Sequence, residues 1–281
     1  MADKSEPRVV ENVYDGVIKL YSDGSIVRGD HQSPPPPTDD YSCVPFKDIV
    51  FGPYSWIMGA SLPSSSNGQN QGADWLPSTA LPAAYHDAIA ALHWIDSMKS
   101  DAVEVDPWFR SHADFCKVFV AGDSAGGNIA NHVGIWAAGA HGDGDLQIQI
   151  KGIILGYPFF GGEERTPSGS YNSPVFNLEM SDTMWRLSLP LGSNRDHPFC
   201  NPVGVGDLRE AALPPMLFVI AGQDILKDKQ LQYCEFLKGC GKQVEVHVFE
   251  EEDHGFTALK MEDRSAVEAL RCISHFINLT N

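Results

Sequence analysis

One five-residue segment, Gly122 to Gly126, constrains the fold more than any other feature of the chain; it reads Gly-Asp-Ser-Ala-Gly. It follows the apolar run 117–120 and opens a stretch at 128–133 with a helical pattern. A serine between glycines at a strand-to-helix turn is typical of a nucleophile elbow, in which small residues let the backbone bend tightly and expose the hydroxyl. The pattern alone is weak in a chain with 26 glycines. Its position between a strand and a helix predicts that Ser124 is a nucleophile.

Two segments further along the chain supply an acid and a base for this serine. Residues 215–220 have the apolar pattern of a buried parallel strand, and Asp224 follows at the carboxyl end, where open α/β sheets place catalytic groups. Residues 243–249 alternate as a strand does, and an acidic loop then leads to His254. We predict that His254 takes the proton of Ser124 as its oxygen attacks a carbonyl carbon, while Asp224 fixes the histidine tautomer.

Other residues compete for these roles. Asp228 is an alternative acid, in which case Asp224 only caps the following helix. His197, before a proline in an irregular segment, is the rival to His254. The spacing of histidines and cysteines matches no metal-binding pattern, so we predict neither a metal site nor a cofactor. Three further histidines lie within helical patterns and are predicted at the surface or the edge of the core: His86, His93 and His132.

Composition excludes several classes of partner. A chain of 281 residues, 43% of them hydrophobic, can bury a large core in one principal domain. The net charge of −17 argues against binding to nucleic acid or to an anionic membrane. The first residues lack the apolar core of a signal peptide, no run has membrane-spanning length, and six scattered cysteines predict reduced thiols. These features predict a cytoplasmic protein, with the nucleus as a further compartment.

The chain is organised around a proline-rich segment. The run Ser33 to Pro37 predicts a stiff linker, which separates an amino-terminal cap segment, residues 1–37, from an α/β domain at 38–281. Residues 83–98 have a helical pattern, and 153–157 predict another buried strand.

A substrate pocket is predicted beside the elbow. The irregular stretch 161–182 and a helix at 184–189 are expected to cover the site. Bulky apolar side chains in and before this region are candidate walls of an acyl or alcohol pocket, with ordinary core positions as the alternative. These candidates are Phe159, Phe160, Trp185 and Leu189.

Many ordered motifs resemble the plant carboxylesterases, within the hormone-sensitive-lipase group of α/β-hydrolases. The resemblance implies an α/β-hydrolase fold, with a mostly parallel central sheet and helices on both faces. It also implies a serine carboxylesterase that acts on small apolar esters or lactones through an acyl-enzyme and without a cofactor. The motifs are 9–13, 18–28, 81–87, 122–126, 157–166, 185–190, 222–224 and 254–256.

The chain departs from this family in one segment. Members carry His-Gly-Gly-Gly after a central strand, and that sequence occurs nowhere in this chain, which looks shortened between about 51 and 81. The family's strand in this segment lies beside the elbow strand, so its loss predicts missing strands near the oxyanion loop and an exposed sheet edge. Of the expected oxyanion donors only the N–H of Ala125 is visible in the sequence, with Gly59 and Ala60 as a possible substitute.

Three functions therefore remain open. The first is the serine carboxylesterase already described. The second is a non-catalytic or inactive homologue that binds a small molecule, either receptor-like or truncated. The gibberellin receptors of the family illustrate it by losing the catalytic histidine, whereas His254 is retained here. The third is a lyase or cyclase relative, although the intact serine motif favours hydrolysis. In each case the expected partner is a small molecule, and the oligomeric state is left open.

Overall fold

The computed structural model describes residues 9–13, 18–22, 26–28, 49–51, 54–56, 81–99, 113–139 and 146–280. The chain divides into two compact units, residues 1–83 and 84–281. The sequence places the domain boundary at 37/38, which stays a prediction. Gly59 and Ala60, the suggested substitute for the oxyanion loop, lie outside the described residues.

The described residues of the first unit form two small antiparallel sheets. Three strands pair in the order β1-β2-β3: β1 is Val9–Val13, β2 is Ile18–Tyr21 and β3 is Ile26–Arg28. Strands β4, Ile49–Phe51, and β5, Tyr54–Trp56, form a separate pair. The three-stranded sheet falls within the predicted amino-terminal cap segment.

The second unit is built on a parallel four-stranded sheet. Its strands are β6, Val118–Asp123; β7, Ile150–Gly156; β8, Met216–Ala221; and β9, Val244–Phe249. Their spatial order is the order along the chain, and every neighbouring pair is parallel. All of their carboxyl ends therefore lie at one edge of the sheet, which brings the segments after β6, β8 and β9 together.

In the described residues, six α-helices accompany these strands: α1, Ala83–Ser97; α2, Ala125–Ala137; α3, Leu178–Ser188; α4, Lys227–Gly239; α5, Phe256–Leu259; and α6, Arg264–Leu279. Within the range 146–280, short 3₁₀ helices span Pro167–Ser170 and Pro202–Val205.

Helix α3 begins at Leu178, earlier than the predicted start at 184. The side chain of Asn177 accepts a hydrogen bond from the N–H of Met180 at 3.0 Å and so caps the first turn. The sequence prediction missed this cap because it treated 161–182 as one irregular stretch.

Side chains that alternate along the strands cover both faces of the sheet. Ile153 and Leu155 of β7 pack with residues of α2 and α4, whereas Ile154 between them packs with residues of α6. Every residue of β8 is at most 1% exposed. Because each fully buried aliphatic side chain contributes about 1.5–3 kcal/mol, burial on both faces makes β7 and β8 the centre of the core. The predicted α/β fold with helices on both faces is confirmed.

Strand β6 is the outer strand at its end of the described sheet. Its residues are half-buried or exposed, unlike those of β8. The sequence-based expectation that the elbow strand lies at an exposed edge stays a prediction, because residues 57–80 lie outside the described part of the chain. Helix α2 follows β6 directly and covers it and β7 on one face. The segment 122–126 therefore lies at the end of the least covered strand of the described sheet.

Two further findings concern the described part of the chain. None of its helices combines the length and the apolar character needed to cross a bilayer. Cys200 and Cys234 are buried, and no cysteine within the described ranges is in a disulfide: Cys116, Cys200, Cys234, Cys240 and Cys272 are free thiols.

The turn between β6 and α2 leaves no room for a side chain at Gly122. A Cβ atom there would lie 2.2 Å from the carbonyl oxygen of Gly126, which is far inside van der Waals contact. A Cβ atom on Gly126 itself would meet nothing within 4 Å. The two glycines of the motif therefore have different requirements: only Gly122 is needed for close backbone approach.

We predict that Gly122→Ala lowers the free energy of unfolding by about 1–3 kcal/mol or more, because the added methyl group must displace backbone atoms. The matched substitution Gly126→Ala is expected to be neutral or slightly stabilising, since alanine favours a helix by about 1 kcal/mol over glycine. Urea unfolding of the two variants beside the parent chain measures the difference. Equal stabilities for the two variants would contradict this account of the turn.

Candidate active site

Ser124 occupies a strained turn between β6 and α2. Its backbone has φ 54° and ψ −118°, in the positive-φ region that residues with a Cβ atom rarely adopt. Two hydrogen bonds hold it there: its N–H donates to the carbonyl of Gly156 at 2.9 Å, and its carbonyl accepts from the N–H of Phe159 at 2.8 Å. Both partners belong to β7 or the segment after it. The neighbouring strand therefore fixes a conformation that costs about 1–3 kcal/mol.

The side chains of three residues form a continuous row of hydrogen bonds. Ser124 Oγ lies 2.8 Å from His254 Nε2, and His254 Nδ1 lies 2.8 Å from Asp224 Oδ2. A carboxylate only accepts hydrogen bonds, so Nδ1 carries the proton of the neutral imidazole and Nε2 is an acceptor. The hydroxyl of Ser124 then donates to His254. This is the arrangement that activates a serine for attack on a carbonyl carbon.

Asp224 is completely buried, at 0% exposure. Its Oδ1 atom accepts a hydrogen bond from the N–H of Leu226 at 3.0 Å, while Oδ2 faces His254. The two roles that the sequence analysis set against each other are thus both present: the carboxylate holds the turn before α4 and also contacts the histidine. Because a buried carboxylate without hydrogen-bond donors is costly, these contacts also stabilise its charge.

The alternative acid and base make other contacts. Asp228 Oδ2 accepts from the N–H of Ser168 at 2.8 Å and ties α4 to the 3₁₀ helix Pro167–Ser170. His197 Nδ1 accepts from the N–H of Phe199 at 3.2 Å, and burial lowers the pKa of His197. The contacts described for these two residues thus join them to the segments around 168 and 199, not to Ser124.

His254 is held on several sides. The backbone N–H of His254 donates to Asp253 Oδ1 at 2.7 Å. Gly255, the next residue, has φ 78°, a conformation that suits glycine. The ring of Phe176 stacks on the imidazole with centroids 4.9 Å apart, and the ring of Tyr157 meets it edge-on at 5.1 Å. The imidazole is only 11% exposed. Its orientation is therefore set by packing as well as by Asp224.

Tyr157 also belongs to a polar cluster beside the histidine. Its hydroxyl donates to Asp123 Oδ2 at 2.9 Å and lies 2.6 Å from Thr257 Oγ1. Burial, with the nearby carboxylate of Asp123 as a second cause, raises the pKa of Tyr157 far above its usual value. The phenol therefore keeps its proton at neutral pH and links the residue before Ser124 to α5.

The four predicted pocket residues divide into two groups. Phe159 stacks on Trp185 with centroids 4.4 Å apart, and it meets Phe176 edge-on at 5.7 Å. These aromatic side chains form a row that leads from Trp185 to His254. Leu189 ends α3 and is buried. Phe160 points elsewhere: it packs in the core with residues of β8 and α4.

Asn128, on the first turns of α2, connects three segments. Its Oδ1 atom accepts from the hydroxyl of Tyr85 at 2.6 Å. Its Nδ2 atom donates to the carbonyl of Phe159 at 3.0 Å and to that of Phe199 at 2.8 Å. The side chain is nearly buried, at 6% exposure. Asn128 thus ties the segment that holds Ser124 to α1 and to the loop at 199.

A cavity of about 230 Å³ lies on the side of α2 that carries Asn128. Two hydrogen bonds lie in its wall: the hydroxyl of Tyr85 donates to Asn128 Oδ1, and Asn131 Oδ1 accepts from the hydroxyl of Tyr233 at 2.9 Å. The residues that line it are Tyr85, Asn128, Asn131, His132, Ile135, Phe160, His197, Pro198, Phe199, Pro202 and Val205. In the described part of the chain, no group of three or more histidine, cysteine and acidic side chains is arranged to hold a metal ion.

Asn128, Phe176 and Gln230 are not predicted from the sequence as residues of the site. A signal existed for Gln230, because it shares a buried face of α4 with Tyr233 and Leu237, and a glutamine in an apolar helical stripe is unusual. Asn128 lies likewise on the buried face of α2. Phe176, in an irregular segment, had no comparable signal.

Comparison with known proteins gives a match to the model of the alpha/beta hydrolase fold family over residues 75–258, a range that includes Ser124, Asp224 and His254. Probable carboxylesterase 6 of Arabidopsis thaliana is 40% identical over 163 residues, which cover 57% of this chain and 46% of that protein. The chain belongs to the plant carboxylesterase family of α/β-hydrolases. Within this carboxylesterase family, gibberellin receptor GID1C of Arabidopsis thaliana is 37% identical over 191 residues, 65% of this chain and 51% of the receptor.

A solved structure agrees with this family assignment. The esterase LipW from Mycobacterium marinum superposes with a TM-score of 0.60 at 29% identity, covering 73% of this chain and 60% of that one. The chain thus spans about half the length of the plant carboxylesterase and the receptor that it matches. The family resemblance predicted from the motifs is confirmed.

We predict that Asn128→Asp destabilises this carboxylesterase-family chain more than Asn131→Asp does. Both changes bury a carboxylate, but only the first places it against two carbonyl oxygens that lose their donors. The expected difference in the free energy of unfolding is about 2 kcal/mol, at about 1 kcal/mol for each lost hydrogen bond. Urea unfolding at pH 7 measures it, and equal losses would exclude the connecting role of Asn128.

Proposed function

We propose that this chain is a serine carboxylesterase that hydrolyses small, fairly apolar carboxylic esters or lactones. The observation that carries the proposal is the row of two 2.8 Å hydrogen bonds from Ser124 through His254 to Asp224. The esterase names of the plant relative and of LipW support the same class of reaction. The aromatic row beside His254 favours substrates with an apolar group.

The proposed reaction has two halves. Ser124 Oγ attacks the ester carbonyl carbon as His254 Nε2 takes its proton, and the imidazolium is stabilised by the buried carboxylate of Asp224. In this proposal, the backbone N–H of Ala125, the first residue of α2, stabilises the negative oxygen of the tetrahedral intermediate. His254 then protonates the leaving alcohol. In the second half, water attacks the carbonyl carbon of the acyl-enzyme as His254 Nε2 takes its proton. His254 then returns the proton to Ser124 Oγ as the acid leaves.

Binding without turnover is the second candidate. It is favoured by the 37% identity to gibberellin receptor GID1C and by the absence of His-Gly-Gly-Gly from the sequence. Loss of one oxyanion donor typically lowers turnover by about 10²–10³. If too few oxyanion donors are present, the chain would still bind a ligand beside Ser124 and His254 but would not hydrolyse it at a useful rate.

Labelling with a fluorophosphonate separates these two functions. We expect the purified chain to be labelled and to hydrolyse p-nitrophenyl acetate and butyrate, with both activities lost in Ser124→Ala by about 10³-fold or more. Ser274→Ala, at an exposed serine of α6, is the matched control and should keep both. A folded parent chain that neither labels nor turns over would instead support the ligand-binding protein.

The choice of acid is tested by a pair of variants. Asp224→Asn is expected to lower kcat by about 10⁴, because an amide facing Nδ1 stabilises the wrong histidine tautomer. Asp228→Asn loses only a contact to Ser168 and should leave kcat within about threefold. Rates with p-nitrophenyl butyrate measure both effects. A larger loss of kcat in Asp228→Asn than in Asp224→Asn would assign the role of the acid to Asp228.

A further inference from the structure

Gln230 is a buried amide that takes part in none of the proposed chemical steps. It lies on the face of α4 that packs against the sheet and is 0% exposed. Its Nε2 atom donates to the carbonyl of Pro158 at 3.1 Å and lies 3.4 Å from Asp224 Oδ2. That carboxylate oxygen is the same one that His254 contacts.

The orientation of this amide is determined by its neighbours. Both the carbonyl of Pro158 and the carboxylate of Asp224 only accept hydrogen bonds, so the NH₂ group must face them. The oxygen Oε1 is then left without a hydrogen-bond partner in a buried position. Such an orphan acceptor is destabilising and calls for an explanation. The explanation is that the carbonyl of Pro158 and the carboxylate of Asp224 both accept hydrogen bonds, so the NH₂ group of Gln230 is needed as the donor between them.

Gln230 also closes a ring of contacts around the site. Pro158 is followed by Phe159, whose N–H donates to the carbonyl of Ser124 at 2.8 Å. The ring therefore runs through the backbone of the elbow, the segment after β7, Gln230, the carboxylate, the imidazole and the serine hydroxyl. One half passes through His254, whose Nε2 gains and loses a proton in the proposed reaction. The other half passes through Gln230, which exchanges no proton in that reaction.

We propose that Gln230 is a positioning residue, which holds Asp224 at a fixed distance from the segment that carries Ser124. Its NH₂ group limits rotation of the carboxylate, so that Oδ2 keeps facing His254 Nδ1. The inference rests on the function proposed above, because positioning has a catalytic effect only if the serine reacts. Its effect on the hydrogen bond between His254 and Asp224 is independent of turnover.

The test replaces Gln230 with methionine, which keeps the volume and removes the donor. We expect kcat for p-nitrophenyl butyrate to fall about tenfold with KM nearly unchanged, equivalent to about 1.4 kcal/mol. Tyr233→Phe is the matched control: it removes a buried hydrogen bond from the same helix at a distance from the carboxylate. Gln232→Met makes the same chemical change at an exposed position. Both controls should keep kcat within about twofold.

A second readout does not need turnover. The proton on His254 Nδ1 should give a low-field NMR resonance that is absent from Asp224→Asn. In Gln230→Met this resonance is expected to shift and its proton to exchange with water about tenfold faster, since the carboxylate is less restrained. Tyr233→Phe should leave it unchanged. Gln230→Asn, whose amide is one methylene shorter, serves if the methionine variant does not fold and should change the resonance in the same direction.

The outcomes separate this inference from the proposed function. A parent chain without turnover that still shows a Gln230-dependent resonance supports the positioning role and rejects the esterase. If the parent chain is active but Gln230→Met has the same kcat and the same resonance as Tyr233→Phe, the positioning role is overturned and the esterase proposal stands. A parent chain without the resonance overturns the inference as well, because there is then no hydrogen bond for Gln230 to hold.

Discussion

The site depends on a carboxylate that is completely withdrawn from water. Asp224 is tolerated in this position only because donors surround it: a backbone N–H at one oxygen, and the His254 ring and the Gln230 amide at the other. These donors come from the turn after β8, the loop after β9 and helix α4. The buried charge therefore requires three separate segments to reach their final positions together.

The turn that carries Ser124, the proposed nucleophile, lies at the same edge of the sheet. The strained backbone of Ser124 is held by hydrogen bonds to Gly156 and Phe159, so the conformation is stabilised by the strand next to it and not by the turn alone. Asn128 extends this support to Phe159 and Phe199. Central strand β7 thus compensates for the position of β6 at the outer end of the described sheet.

Much of this could be predicted from the sequence, for identifiable reasons. The strands around β8 are continuous apolar runs, and Ser124, Asp224 and His254 each follow a strand, so that the parallel topology alone places them at one edge. Residues whose role depends on contacts across the fold were harder to find. Phe176 stacks on His254 from a segment without periodicity. Phe160, itself one of the four predicted wall residues, faces the core instead, because neighbouring residues in extended segments point to opposite sides.

The packing of His254 has a consequence for how a proton can travel through the site. With the face of Phe176 against its ring and the edge of Tyr157 on another side, the imidazole has little room to swing away from Asp224. If the His254 ring moved between two positions, it would have to displace both aromatic rings. For the proposed reaction, the geometry instead favours a stationary ring that exchanges protons only at Nε2, first with the serine oxygen and then with a departing alcohol. The direction of proton transfer then depends on whether the serine oxygen or the alcohol oxygen lies next to Nε2.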